Sequence, residues 1–420
     1  MVPTELEKRI HDFVCHEVSF DDAPMTFDSN PTWARTRELG TQLWLDTGSL
    51  DESAELWTPE FQALTTNNTL LNNEVQKGIY DDLIGRACGI LDDFDLGEQD
   101  RVLEIAFILN AVHGLRLVKR YDSFVSVEEH TDIAHDLERA VRVGLRYHAI
   151  CPERFIVKLP FTPAGVLATR RLVAEGVRIN HTLNFSARQN YVIARLAKPA
   201  YVNVFLGRLN AFVADNGLGS GDSVGEKSIM ASQAVLKGFR DAGISDTRQI
   251  GASLRNGGQV RDLVGVDVLT MPPKAAKAFL ELGMDPAALS DRTAHDYQPD
   301  VDPSVDWDAV GLNTLWDVDE EIVACVEALE KEDLDAMTAD ALVTYFHDHD
   351  AADFFVRWSD EEIKVSAEEG KIPKLDHWTQ LLSSGSIGLD ALMNLAGLNA
   401  FIGDQREMDA RVRDNMKAAL

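Results

Sequence analysis

Cysteine is scarce in this 420-residue chain: Cys15, Cys88, Cys151 and Cys325 stand far apart, with no C-x-x-C pair. Such scatter argues against a disulfide framework and for a reducing compartment. Long apolar runs are missing too. No stretch approaches the roughly eighteen apolar residues of a membrane span. The opening MVPTELEKRIHDFVCHE interleaves charges with apolar residues, unlike a signal peptide. A cytoplasmic protein is expected. Positive charge is short as well: 40 Lys and Arg stand against 69 Asp and Glu, a net −29. A phosphate polyanion is repelled by such a surface, so neither nucleic acid nor a membrane is expected as a partner. The acidic excess reads as a device for solubility, or for salty surroundings. It repels a phosphorylated ligand at long range, so any phosphate site has to be a local basic patch.

What is present is an ordinary globular composition, 45% hydrophobic and 26% charged, long enough to bury a large core without staples. Residues 1–40 read as a polar helical segment ending near the Asp28–Pro31 turn. Eight strand-like runs follow: QLWLDTG (42–48), FQALTTN (61–67), SFVSVEE (123–129), RFIVKLPF (154–161), VRINHTLNF (177–185), YVNVFLGR (201–208), RQIGASLRN (248–256) and VDVLTMPP (266–273). Helix-length spacers separate them, the pattern of a parallel sheet with crossover helices. Eight is the count of a closed α/β barrel, a (β/α)8 TIM barrel, assigned here to residues 41–300. A Pro-bearing connector (290–306) leads to a helical extension, 301–420, in which Ser359 and Glu362 form a capping box and 390–416 has apolar residues at helical spacing.

A barrel places its chemistry at the carboxyl ends of its strands, on inward positions of period two. In FIVKLPF, Lys158 is flanked by Val157 and Leu159. Burial lowers a lysine pKa, and a neutral amine attacks a carbonyl carbon to form a Schiff base. A lysine snorkelling from a strand end is the other reading, and this strand alone leaves both open. Asp46 and Glu128 close the first and third runs, where carboxylates can move protons or cap a turn. Asn180, Thr182 and Asn184 share one face, suited to sugar hydroxyls or to a self-satisfied polar network, while His181 points outwards. Arg208 and Arg255 end two runs with a glycine before each, suited to phosphate or to a surface salt bridge.

In order along the chain, LDTGS (45–49), ALTTNNTLL (63–71), VSVEE (125–129), VKLPFT (157–162), NHTLNFSARQ (180–189), VFLGR (204–208) and GASLRN (251–256) resemble segments of the transaldolase family. The resemblance covers roughly residues 40–275 and implies specific roles. Lys158 forms the Schiff base with a ketose phosphate, Asp46 takes the C4 hydroxyl proton, and Glu128 with Thr182 and a water moves protons at the imine. Asn67 and Asn180 hold the dihydroxyacetone unit, and Arg208, Ser253 and Arg255 bind phosphate. Two positions depart from the family pattern: Asn68 stands where proline is common, and Asn203, near the first substrate carbons, where serine is usual. The implied activity is dihydroxyacetone transfer between sugar phosphates, of the pentose phosphate pathway type, with neither metal nor cofactor. A fructose-6-phosphate aldolase-like lyase is the alternative, but such lyases tend to carry Gln at the Glu128 position and Tyr at that of Phe205. A retired barrel acting as a binding protein is a third reading, which the joint presence of Lys158, Asp46 and Glu128 opposes.

GSGDSVGEKS (219–228) lacks the spacing of a phosphate-binding loop, because Glu226 separates Gly225 from Lys227, and reads as a flexible loop. HDHD (347–350) does not share one helix face and reads as a solvated turn rather than a metal site. The extension is expected to add two or three helices, with Trp358, Trp378 and Phe401 anchoring either a cover over the barrel or a homodimer interface.

Overall fold

Eight short apolar runs pair as eight parallel strands in the computed structural model, which describes residues 4–20 and 25–419. They are β1 Gln42–Asp46, β2 Phe61–Thr65, β3 Phe124–Glu128, β4 Phe155–Pro160, β5 Ile179–Thr182, β6 Tyr201–Phe205, β7 Arg248–Ala252 and β8 Val268–Met271. Each pairs with its sequence neighbours, and β1 with β8, so the sheet closes as a (β/α)8 barrel. Every strand falls inside its expected run.

Period-two alternation sorts the barrel interior into layers. Trp44, Ala63, Ile156, Ile250 and Val268 pack together with Phe124 and Tyr201, and Trp44 meets Tyr201 edge to face at 4.6 Å. Two residues further along the same strands stand Asp46, Thr65, Lys158, Asn203 and Thr270, so a polar layer rests on an apolar plug. The intervening residues, such as Val157 and Leu159, face the helices and are fully buried.

The N-terminal segment holds helices Glu5–Glu17 and Pro31–Glu38. Its expected end at Asp28–Pro31 is instead the start of the second helix, which Asn30 caps through the Thr32 and Trp33 amides. The parts of that segment at 1–3 and 21–24 lie outside the described residues. Between β2 and β3 the chain makes three helices, Asn68–Gln76, Asp81–Leu91 and Glu98–Tyr121.

Beyond residue 301 the described chain forms five helices rather than two or three: Glu320–Leu329, Ala339–His347, Asp360–Glu369, Leu375–Ser383 and Leu389–Ala419. Breaks at 348–359, where Phe354 and Phe355 are buried, and at 384–388 divide what composition alone reads as continuous helix. The Ser359–Glu362 capping box forms as expected. The core is continuous from Ile10 and Val14 through the barrel's outer face to Leu392 and Met408. All four cysteines are unpaired, and no helix among the described residues is long and apolar enough to cross a membrane.

Candidate active site

Lys158, Glu128 and Asn180 are register partners across β3, β4 and β5, so their side chains emerge at one level inside the barrel. Lys158 Nζ lies 3.3 Å from Glu128 Oε1 and donates to the Thr66 carbonyl at 3.4 Å. Its apolar neighbours in sequence point the other way, so the strand looks hydrophobic while the ammonium sits among polar groups. Glu128 is 2% exposed, and its Oε2 accepts the Asn68 backbone N–H at 3.0 Å. Burial pushes the Glu128 carboxyl above its usual range, while the Lys158 charge and the Asn68 amide pull it back.

Asp46 ends β1 with part of its surface open to the same cavity. Its Oδ1 accepts from Thr65 Oγ1 at 2.8 Å, and that hydroxyl meets Thr270 Oγ1 at 2.6 Å. Burial raises the Asp46 pKa, against the opposing charges of Lys158 and Arg255. Asn67 caps helix Asn68–Gln76 by accepting the Leu70 amide at 2.8 Å. Asn203 donates to Asn180 Oδ1 at 2.7 Å and to the His181 carbonyl at 2.9 Å. Both its amide hydrogens are thus taken within the wall, and Asn203 offers the cavity an acceptor.

Asn180 also donates to Ser126 Oγ at 3.0 Å, so it belongs to the wall's hydrogen-bond network. Thr182 is fully buried, and its hydroxyl has no protein partner. Asn184 does not share their face. The chain turns at Leu183, whose φ is 65°, and Asn184 swings to the helix side. There it meets His181 Nδ1 at 3.3 Å and donates to Asn190 at 2.8 Å. His181 is fully buried and structural, its pKa lowered to about 4 by burial.

The opposite end of the cavity is cationic. β6 stops at Phe205, and Arg208 stands in the first turn of helix Leu206–Asp215, 5% exposed, with no partner at Nη1. Burial pushes its pKa down to about 10, and the nearby Arg255 adds to the shift. Gly207 is required here, because a Cβ would come within 2.3 Å of the Ser253 carbonyl oxygen. Gly251 serves differently, packing against Leu269 and Leu263 in the outer layer. Ser253 follows β7 with φ of 61°, and Arg255 beyond it is exposed. Asp46, Asn67, Lys158, Asn203, Phe205, Arg208, Ser253 and Arg255 line one cavity of about 200 Å³. Larger clefts flank helix Glu5–Glu17, but Arg142 there is already paired with Glu7 at 2.5 Å.

Lys371, which sequence reasoning missed, and Phe401, expected to anchor a cover or an interface, both line this cavity from the C-terminal extension. The Phe401 ring lies 5.6 Å from both Lys158 Nζ and the Arg208 guanidinium carbon. Its helix, Leu389–Ala419, crosses the carboxyl face of the barrel. Asp390 binds the buried Arg188 at 2.7 and 2.9 Å, and Asn394 donates to the carbonyls of Phe161 and Leu183 at 2.9 and 3.0 Å. Thr69 donates to Asp404, and His130 meets Asp409 at 3.1 Å.

The discounted motifs have structural uses. Gly225 begins helix Val224–Asp241 against the Leu206 backbone, and Lys227 lies 5.9 and 4.9 Å from the rings of Trp307 and Trp316. The second half of that expected loop is therefore helix. His347 pairs with the Phe355 carbonyl at 2.9 Å and His349 with that of Tyr345 at 2.8 Å.

The closed barrel and the polar cavity at the carboxyl ends of its strands have the layout of a (β/α)8-barrel enzyme. Residues 43–343 match the family described as Transaldolase/Fructose-6-phosphate aldolase. A transaldolase of Xanthomonas euvesicatoria pv. vesicatoria is 30% identical over 275 residues, covering 63% of this chain and 83% of that protein. A probable transaldolase of Thermus thermophilus is 32% identical over 244 residues, 57% of this chain and 91% of that one. The chain belongs to the transaldolase/fructose-6-phosphate aldolase family.

Proposed function

We propose that the protein is a transaldolase, moving a dihydroxyacetone unit from a ketose phosphate to an aldose phosphate through a Schiff base on Lys158. The observation that carries this reading is the 3.3 Å contact of buried Glu128 with Lys158, which lines a cavity that also holds Asp46 at one wall and two arginines at the far end. The Lys158 amine attacks the C2 carbonyl, and Glu128 with Thr182 moves the protons that let the carbinolamine lose water. Asp46 takes the proton of the C4 hydroxyl as the C3–C4 bond breaks. The electron pair stays on the imine-bound unit as an enamine, and the aldose phosphate leaves. An incoming aldose phosphate reverses these steps. A carboxyl raised by burial, as Asp46 is, suits a group that takes up a proton during the reaction.

Asn67 and Asn180 hold the hydroxyls of the three-carbon unit, with Asn203 presenting an acceptor beside them. Phe205 walls the chain of the sugar, and Arg208, Ser253 and Arg255 hold the phosphate. Because Phe401 closes the cavity over Lys158, it limits loss of the bound unit to water.

Borohydride reduction with fructose 6-phosphate, followed by peptide mapping, tests the reading. An adduct on Lys158, with three carbons passed to an added aldose phosphate, is the expected result. Label on another lysine alone overturns the mechanism. Release of free dihydroxyacetone that does not depend on an acceptor identifies a lyase, and absence of any adduct a binding protein.

A further inference from the structure

Glu128 is held from two sides. Lys158 Nζ stands 3.3 Å from Oε1, and the Asn68 main-chain N–H donates to Oε2 at 3.0 Å. Asn68 is the first residue of helix Asn68–Gln76, a position whose amide has no acceptor within the helix. The Asn67 side chain satisfies the Leu70 amide of that first turn, and Glu128 satisfies the Asn68 amide. The Asn68 side chain adds a separate tether, donating to the Glu129 carbonyl at 3.2 Å. Both partners of the amide–carboxylate bond are out of solvent, Asn68 at 0% and Glu128 at 2% exposure.

The backbone here would accept proline. Proline is favoured at the first position of a helix, and Asn67, at φ −154° and ψ 171°, already has the extended conformation that precedes a proline. Helix geometry therefore does not demand asparagine. What a proline removes is the N–H, and with it one of the two donors on Glu128.

We propose that Asn68 is a positioning residue whose main-chain N–H holds the Glu128 carboxylate turned towards Lys158. This rests on the reading of Glu128 as the group that moves protons at the imine. A donor to the ionised carboxylate favours that form, so losing it moves the Glu128 titration to higher pH. The other groups that act on Glu128 are the charges of Lys158 and Asp46, with Arg208 and Tyr147 also in range. All four are unchanged by substitution at residue 68.

Three variants of the full chain separate the amide from the side chain: Asn68→Pro, Asn68→Ala, and replacement of the 67–68 peptide bond by an ester, which puts an oxygen in place of the N–H and keeps the Asn68 side chain. Glu128 is followed by carbon-13 NMR of carboxyl-labelled glutamate, its signal identified by its loss in Glu128→Gln, and kcat with fructose 6-phosphate is followed against pH. In the proline and ester variants the Glu128 signal titrates at higher pH than in the unaltered chain. Their kcat on the acid side falls about tenfold, the scale of one charge-assisted hydrogen bond, and recovers as pH rises. Asn68→Ala, which keeps the amide, titrates as the unaltered chain does. An unmoved Glu128 signal in both amide-deleted chains, or an equal shift in Asn68→Ala, overturns the proposal. The NMR result decides this without turnover, so an unaltered chain lacking activity and adduct would sink the transaldolase reading alone. Should the proline variant melt early, the ester chain decides.

Discussion

The Lys158 ammonium and the Glu128 carboxylate stand 3.3 Å apart because the two residues are register partners on adjacent parallel strands. No loop has to order for them to meet; closing the barrel brings them together.

Glu128→Gln keeps that geometry and removes the proton acceptor. Turnover is expected to fall about 10²- to 10⁴-fold, with Lys158 still trapped by borohydride. Burial holds both Glu128 and Asp46 above the usual carboxylate range, and the proposed mechanism needs both ionised. Activity therefore declines as pH falls through those raised values, at higher pH than exposed carboxylates would cause. A pH–rate profile checks this, and in Glu128→Gln only the limb belonging to Asp46 remains.

Arg255 and Lys371 are both exposed at the cationic end, but only Arg255 has the planar fork that can hold a phosphate by two bonds. Arg255→Ala should raise KM for phosphorylated donors by roughly 10- to 100-fold, and for unphosphorylated sugars hardly at all. Lys371 is exposed on a loop that Asn216 clamps at Pro373 and Leu375 with bonds of 3.0 and 2.7 Å. Its loss should cost only about threefold in the same KM. Steady-state kinetics with paired substrates measures both.

Arg188, 2% exposed, is bound by Asp390 and by Asp353 at 2.8 Å. Removing one partner from a buried pair leaves a charge poorly compensated. Asp390→Ala should lower stability by roughly 3–5 kcal/mol in urea unfolding, because the same carboxylate also accepts from Ser186 at 2.6 Å.

Glu129, beside the catalytic candidate, is a different kind of carboxyl. It is 3% exposed, its Oε1 has no partner, and burial holds its pKa well above the usual value. The folded chain keeps a proton that the unfolded chain gives up, so this contribution to stability is present below the ordinary glutamate pKa. It is lost as pH rises towards the folded-state value, with a limiting slope of about 1.4 kcal/mol per pH unit. Urea midpoints across pH should show that loss, and Glu129→Gln should flatten it.

Phe401→Ala should speed hydrolysis of the lysine-bound unit and lower stability by roughly 1–3 kcal/mol. Quenched-flow measurement of imine loss without acceptor checks the first, and urea unfolding the second. Point substitution suits this test better than deleting the extension, because Leu389, Leu392, Met393, Met408 and Val412 of the same helix are buried. Unchanged hydrolysis would leave the helix a purely structural part.

The strands were legible because each is a short β-branched or aromatic run between helix-length spacers, and period two then put Asp46, Glu128 and Lys158 inside. Arg208 was legible as a residue, but its helix was not, since β6 passes into that helix without a break. Asn184 was misplaced because nothing about Leu183 announces a positive φ. Lys371 was invisible for another reason: a lysine after Gly370 carries no mark of its destination, whereas Phe401 was legible as an anchor but not as a neighbour of Lys158. The Asn68 amide was hidden most deeply, since a backbone donor leaves no trace in residue type beyond not being proline.

The helix Leu389–Ala419 is synthesised long after β8 has appeared. The parts of the cavity wall are therefore made in order: Lys158 and Glu128 lie on strands made early, and the ring beside Lys158 on a helix made late. A chain interrupted between β8 and Phe401 would lack the ring beside Lys158 together with the buried residues that this helix gives the core. The wall of the cavity is thus completed by a helix made long after the barrel strands.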